Sequence, residues 1–513
     1  TDSLIVVENQ YARFEFGTKG ARLHSHSLKA FTAEKERPVY LWDSVQKHNF
    51  LFAEGRTIVR SELLYFRLLY APKKPIHQGE DSVVFRLELT PDTFIQVSYH
   101  IPADKYHFWW RVSFHGLKER LRNPYLFYTV TYQTPQTEPS AEAMRPHCAL
   151  YYRQAEDVET ITPDDDEAQR KALQGRIRWV SAKGQFFCAL FQAREAFSAA
   201  TLTSFPFTTL PQYQIDLQLP LDNGVAEQQI YLGPTRYSLL RAYKEDYEKQ
   251  LNLGWSFIRY INTGFIIPVF EFLERFIPSY GVIIAILALL IKIILSPLTW
   301  RSYLLGVRMQ VVNELPEVKA LEEKYKDQPD KLMIERSLLY QQLGVNPLSG
   351  CVPLLLQIPI FFAMTSFFPN AFELRQKSFL WTHDLSSYDN LISWGFSIPL
   401  IGDHLSIFAL LTALSTLAYT FVMQQGQTTT MPGLKWLPYL SPVIFFIFLN
   451  GYSSALSWYY FVLNVLTIVQ MTLMKRFVDK EALVRKLREV QRKKQNKIQI
   501  AQQRARMQRF FKR

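Results

Sequence analysis

Apolar and polar positions follow two different periods along the chain. Up to about residue 245 they alternate: Phe85, Leu87 and Leu89 against Arg86 and Glu88, Ile95, Val97, Tyr99 and Ile101 against Gln96, Ser98 and His100, and Tyr213, Ile215, Leu217 and Leu219 against Gln214, Asp216 and Gln218. A period of two puts every second side chain on one face of a strand. Turn signals at Pro91-Asp92 and Asp222-Asn223-Gly224 separate the runs. The pattern predicts an all-β domain over residues 1–250, a sandwich of antiparallel sheets. The acidic run 162–175 reads as a surface loop or short helix, and its carboxylates lack the alternate spacing and turn glycine of a calcium loop.

From residue 251 the texture changes. Over 251–279 polar residues interrupt aromatic and aliphatic ones and Pro268 breaks the run, which predicts an amphipathic helix lying at a membrane interface. Five apolar stretches follow, at about 280–300, 346–368, 405–423, 436–451 and 455–475. Each is read as a transmembrane helix; the fourth is short for a hydrocarbon core of about 30 Å. Between the first two lies a charged helical hairpin, 301–345, in which Leu315, Val318, Leu321 and Tyr325 take helical spacing, as do Leu332, Leu339 and Leu343. The sequence DQPD makes its turn and Pro329 opens its second helix. The hairpin is either a solvated strut or a docking arm.

Composition sharpens this division. The 513 residues are too many for one ordinary core. The net charge of +12 is local, because residues 475–513 hold 15 Lys or Arg against 3 Asp or Glu, an excess of 15 − 3 = 12. The basic tail, 476–513, suits a solvated helix, an anionic-lipid patch or an RNA handle. The positive-inside rule places tail and hairpin in the cytoplasm and residues 1–279 on the opposite side. There a disulfide between Cys148 and Cys188 is permitted, whereas Cys351 reads as a small buried hydrophobe. No signal peptide opens the chain.

Catalytic chemistry has no visible carrier. None of the five stretches contains Asp, Glu or His, and neither a glycine-rich phosphate loop nor H-E-x-x-H occurs, so no enzyme activity, cofactor or metal is expected. The exception is Lys292, alone in the first stretch. It lies eight residues before Trp300, about 12 Å of helix, so its ammonium could snorkel to the cytoplasmic interface. Other spans, however, carry uncharged polar residues: Gln357; Thr412, Ser415, Thr416 and Tyr419; Ser457, Tyr460, Asn464 and Thr467. The last four recur every three or four residues and share a helix face. They either glue helices together, at about 0.6 kcal/mol per contact, or line a hydrated cavity with Lys292 and Gln357.

The stretches KIILSPLT, PEVKALEEKYKDQPDKLMIERSLLYQQLGVNPLSG, CVPLLLQIPIFFAM, FLWTHDLS, LPYLSPVIFF and LSWYYFVLNVLTIVQ, in that order over 280–475, resemble the YidC/Oxa/Alb family of membrane insertases. The preceding domain is similar to the periplasmic β-sandwich of the Gram-negative form, whose first transmembrane helix is expected outside this chain. The resemblance implies a polytopic α-helical bundle in the bacterial inner membrane, and an insertase and chaperone rather than an enzyme. It implies a groove open to cytoplasm and lipid whose charged residue matches Lys292, with Gln357, Asn464 and Tyr460 matching its polar lining, and Ser415 and Thr467 beside them. The family usually has arginine at the charged position; lysine keeps the charge and loses the bidentate fork. The partners implied are nascent membrane proteins, the Sec translocon, the ribosome through tail and hairpin, and anionic phospholipid, with no DNA. A transporter or channel, and a structural scaffold, are the rival classes.

Overall fold

A computed structural model describes residues 2–33, 36–117, 120–121, 123–325, 328–343, 352–390, 392–399, 401–424, 437–478, 485 and 489. The chain divides into two units, Thr1–Asn252 and Leu253–Arg513.

In the first unit a four-stranded antiparallel sheet joins β1 (Leu4–Glu8), β2 (Ala12–Gly17), β3 (Arg22–Thr32) and β4 (Pro38–Trp42) in chain order. A second sheet contains β5 (Lys47–Glu54), β6 (Thr57–Arg60), β7 (Arg67–Tyr70), β8 (Glu80–Thr90), β9 (Thr93–Pro102), β10 (His107–His115), β11 (Tyr125–Gln133), β12 (Ala149–Gln154), β13 (Asp157–Ile161), β14 (Gln169–Lys183), β15 (Phe187–Phe205), β16 (Gln212–Pro220) and β17 (Val225–Pro234). Its main path runs β6-β5-β11-β16-β15-β17-β10-β9-β8-β7, and β12 to β14 branch from β15. Two short helices complete the unit, α1 (Ala141–Met144) and α2 (Tyr237–Ala242).

The two ends of this ten-strand path, β6 and β7, are joined by residues 61–66 alone. Six residues reach at most about 25 Å, whereas ten strands laid flat would span about 43 Å. The sheet therefore curls. Across its open side the connection bonds to the β2–β3 turn, through Gly20 N–H to Leu64 O at 2.8 Å and Phe66 N–H to Thr18 O at 2.9 Å. Between the sheets lies an aromatic core: Phe16 packs on Tyr99 at 4.4 Å and Phe14 edge-on to Phe108 at 5.6 Å. The Tyr99 hydroxyl donates to Ala21 O at 2.8 Å.

The alternation sets this core. Ile95, Val97, Tyr99 and Ile101 are buried, as are Tyr213, Ile215, Leu217 and Leu219. At the β16–β17 turn Asn223 has φ 49° and Gly224 φ 80°, the left-handed pair a two-residue hairpin needs. Alternation fails at the tip of β8, where Leu89 is exposed. Residues 169–175 are not loop or helix as expected but the start of β14, which pairs with β15 and buries Leu173; pairing overrides weak local propensity. Cys148 and Cys188 are both free and buried rather than bridged, and the Cys148 thiol donates to Met144 O at 3.3 Å.

The second unit opens with α3 (Ser256–Ile261), a π turn (Asn262–Ile266) and α4 (Ile267–Glu274). Pro268 has no N–H to give the preceding turn, which widens so that Ile267 N–H reaches Asn262 O. Then come α5 (Tyr280–Glu314), α6 (Pro316–Lys324), α7 (Pro329–Leu343), α8 (Val352–Phe367), the hairpin β18 (Ile392–Ile398) and β19 (Gly402–Leu405), α9 (Ile407–Gln424), α10 (Leu437–Asn450) and α11 (Ser454–Phe477). Helices α5, α8, α9, α10 and α11 occupy the five expected spans. Of these α5 and α11 are long and apolar enough to cross a membrane, and α9 and α10 are shorter apolar helices. The helix of the first span continues past residue 300: α5 runs 35 residues, about 52 Å, carrying Pro297 within it, and stops at Leu315, which is extended ahead of Pro316. The expected start of the second span and nearly all of the basic tail lie outside the described residues.

Candidate functional site

Between Tyr280 and Trp300 of α5 Lys292 is the only charged residue, and α8, α9 and α10 carry none. Twelve residues of helix place it about 18 Å from the first turn of α5. It is half-buried, and among the described residues it has no hydrogen-bond or ion-pair partner. An ammonium left unpaired in an apolar bundle is costly unless a cavity hydrates it.

Such a cavity is present. Lys292, Leu295 and Thr299 of α5 face Gln357 and Ile360 of α8, and Tyr459, Leu463, Thr467 and Gln470 of α11 close the other side with Tyr419 of α9. The space free of atoms is about 590 Å³, including its open mouth. Gln470 Nε2 donates to Thr299 Oγ1 at 3.0 Å, fixing α11 against α5. Thr299 and Gln470, like Tyr459 and the apolar lining, were missed by the sequence reading, although spacing signals the first two: Thr299 is two helical turns beyond Lys292, and Gln470 is three residues beyond Thr467.

The expected polar lining divides between two directions. At 100° per residue, Ser457 and Asn464 point within about 20° of each other, as do Tyr460 and Thr467, the two pairs being about 60° apart. Thr467 faces the cavity, its hydroxyl bonded back to Leu463 O at 2.5 Å. Asn464 instead turns to α9, where its Nδ2 donates to Ser415 Oγ at 3.0 Å and Thr416 Oγ1 at 2.8 Å. The Thr412 hydroxyl donates to Ser457 O at 2.7 Å in the same seam. Tyr460 packs on Phe361 of α8 at 5.7 Å and Phe445 of α10 at 6.0 Å. The structure thus brings Lys292, Gln357 and Thr467 together and assigns Asn464 and Ser415 to the α9–α11 seam.

One end of the bundle is tightly closed. Asp389 is buried and accepts from Trp381 Nε1 at 2.9 Å, from the Ser406 hydroxyl and from Ile407 N–H at 2.8 Å, so its carboxylate sits on the first turn of α9. Asn450 Oδ1 accepts from Ser406 N–H at 2.9 Å, and His404 Nε2 lies 2.8 Å from Asn450 O. Ser454 N–H donates to Ser387 O at 2.7 Å, and Trp458 Nε1 to Gly281 O at 2.8 Å. A Cβ on Gly281 would meet the Phe379 ring at 2.2 Å, so glycine permits that closure. Burial pushes the Asp384 carboxyl up, opposed by hydrogen bonds from Ser386.

Beyond the other end, α6 and α7 fold back on the extension of α5. Val307, Val311, Val312, Val318 and Tyr340 form their core, with Leu315 and Leu339 packed against it; Leu321 and Tyr325 are half-buried. Buried Arg336 joins all three helices, through Asn313 Oδ1 at 3.2 Å, Glu322 Oε1 at 3.0 Å and the Tyr340 hydroxyl. The sequence reading missed it, since an Arg among charged residues gives no sign of burial.

Comparison with known proteins covers both units. The family model described as "60Kd inner membrane protein" matches residues 272–481, and "YidC periplasmic domain" matches 4–264. "Membrane protein insertase YidC" of Amoebophilus asiaticus is 31% identical over 96% of this chain and 84% of its own length. Its counterpart in Parabacteroides distasonis is 32% identical over 97% and 81%. A crystal structure of an active YidC insertase with its first transmembrane domain resolved aligns at 17% identity over 91% of this chain and 92% of that one, with a TM-score of 0.36.

Proposed function

The chain belongs to the YidC family of membrane protein insertases, and on that premise we propose that its transmembrane unit draws the polar tail of a nascent membrane protein into the cavity around Lys292 and passes the adjoining apolar segment into lipid. The family is one of inner-membrane proteins with a periplasmic domain. Here the β unit faces the periplasm, and hairpin and tail face the cytoplasm, as the positive-inside rule requires.

One observation carries the proposal: the Lys292 ammonium, without a partner among the described residues, shares a cavity with Gln357, Thr299, Thr467 and Gln470. A polar tail in bare hydrocarbon costs several kcal/mol per unsatisfied group. Amides, hydroxyls and water inside the cavity take up those bonds, and the ammonium attracts acidic residues of the tail. The hydrogen-bonded cap of Asp389, Ser406 and Asn450 stops the cavity short of the periplasm. The client's apolar segment then partitions sideways, and its burial in lipid supplies the driving force. No covalent bond is made or broken, so the activity is that of an insertase and chaperone rather than an enzyme. It works alone or beside the Sec translocon, with the basic tail and hairpin holding the ribosome and the tail also meeting anionic phospholipid.

The test is a photocrosslinking amino acid placed singly at Gln357, Thr467 and Asn464, with a stalled nascent membrane protein as client. Adducts at Gln357 and Thr467, and none at Asn464, are expected. Adducts at Asn464 alone would overturn the assignment of the groove.

A further inference from the structure

The β unit carries an exposed ribbon that the insertion mechanism does not use. Over residues 56–74 six large apolar side chains face solvent, from Ile58 at 68% and Leu63 at 69% through Tyr65, Leu68 and Leu69 to Tyr70 at 50%. Interleaved with them are Arg56, Arg60, Arg67, Lys73 and Lys74, against the single acid Glu62. Residues 1–250 as a whole balance, with 30 Lys or Arg and 30 Asp or Glu. The ribbon therefore concentrates four net charges, 5 − 1, in a domain whose total is 30 − 30 = 0. Lys19 adds a cation 5.9 Å over the Tyr65 ring.

Apolar side chains among cations complement an anionic interface, which solvates the charges and buries the rings and leucines. The alternative cover, an added strand on edge strand β7, meets obstacles. The β7 register shifts between Leu68 and Tyr70, the strand is four residues long, and Pro72 and Pro75 follow it. Such features disrupt regular edge pairing. The first unit ends at Asn252 and α5 begins at Tyr280, so 27 residues of chain, 253–279, link the β unit to the first membrane-spanning helix. We infer that residues 56–74 are a headgroup-binding ribbon by which the β unit rests on an anionic phospholipid surface.

The full chain in nanodiscs of phosphatidylcholine, with and without phosphatidylglycerol, tests this by amide hydrogen exchange. Each cation near an anionic surface is worth about a fivefold bias; with curvature and partial contact, peptides over 56–74 should exchange about tenfold slower with phosphatidylglycerol. That slowing should vanish in about 0.5 M salt and in the variant R56Q/R60Q/R67Q/K73Q/K74Q. Swapping each Arg for Lys and each Lys for Arg should preserve it. Peptides from β15 report whether each variant is folded; should the Gln variant not fold, the salt response of the unaltered chain decides. Equal exchange in both lipids overturns the inference. So does slowing that arises only when two copies share a disc, which would mark the ribbon as a protein interface.

Discussion

Replacing Lys292 by Arg, Gln and Glu tests the electrostatic part of the proposed insertion mechanism. The ammonium is half-buried on the wall of an open cavity, where an effective dielectric of about 20 to 40 applies. A client carboxylate approaching to about 5 Å then gains about 2 to 3 kcal/mol by Coulomb's law. Stripping water from both charges takes back about half, leaving about 1.4 kcal/mol, or tenfold, per acidic residue. In proteoliposomes, a client with one Asp in its translocated tail should insert about tenfold less with Lys292→Gln and about a hundredfold less with Lys292→Glu. With Lys292→Arg it should stay within about twofold. The same client with Asn in place of Asp should barely distinguish the variants. Protease protection of the tail reads insertion, and thermal unfolding separates it from folding: Lys292 has no acidic partner among the described residues, so neutralising it should not destabilise the bundle. Equal insertion of the acidic client by all three variants, or equal losses for both clients, would refute the reasoning.

Asn464→Leu removes the hydrogen bonds to Ser415 and Thr416 of α9 and a longer one to Thr412 O, so it should cost about 1 to 2 kcal/mol of bundle stability while leaving insertion near normal; a collapse of insertion with unchanged stability would place Asn464 in the groove instead. Arg336→Met should loosen the hairpin by about 2 kcal/mol, after discounting the partly exposed Glu322, seen as about thirtyfold faster amide exchange in α7 with α9 and α11 unchanged. In the β unit burial holds His26 down to about 3, and neither ring nitrogen has a hydrogen-bond partner among the described residues. Between pH 6.5 and 3 the unfolded chain binds a proton there that the folded chain refuses, so stability falls as pH falls, by about 1.4 kcal/mol per unit from this residue. His26→Phe should remove that share of the slope in urea unfolding followed at pH 4 to 7.

Most of the architecture was legible because it rests on period. Alternation identified the strands, and runs of apolar residues identified five helices, since each reflects one face or a whole surface hidden from water. What failed was set by pairing or by long-range closure. Residues 169–175 are strand because β15 lies beside them, and no local signal announces that. The curl of the large sheet follows only once β6 and β7 are known to be its two edges. Lys292 was visible as a charge in an apolar run, and Gln357 as an amide in another. Asn464 was not separable from Thr467 by spacing alone, because a stripe about 80° wide can serve two neighbours. Its hydroxyl partners lie on α9, nearly fifty residues away in sequence.

The resemblance leads one to expect arginine where Lys292 stands, and the geometry offers a reason why lysine serves. Arginine's advantage is a planar fork that meets a carboxylate or phosphate through two parallel bonds. The cavity wall holds no carboxylate among its lining residues, and the polar groups that the three other helices contribute are amides and hydroxyls, so a fork would find no resident carboxylate to match. An ammonium on a flexible stem needs only one acceptor at a time and can follow a tail as it moves. Attraction without a fixed partner also suits release in the proposed mechanism, because a client held by one mobile charge would leave once its apolar segment had found lipid. A resident acid placed on the wall, as in Thr467→Asp, should therefore silence Lys292 by pairing with it. Insertion of acidic clients should then fall to the level of Lys292→Gln, and the further change Lys292→Gln in that background should add little. Independent, multiplicative losses from the two substitutions would show that the ammonium does its work somewhere other than this cavity.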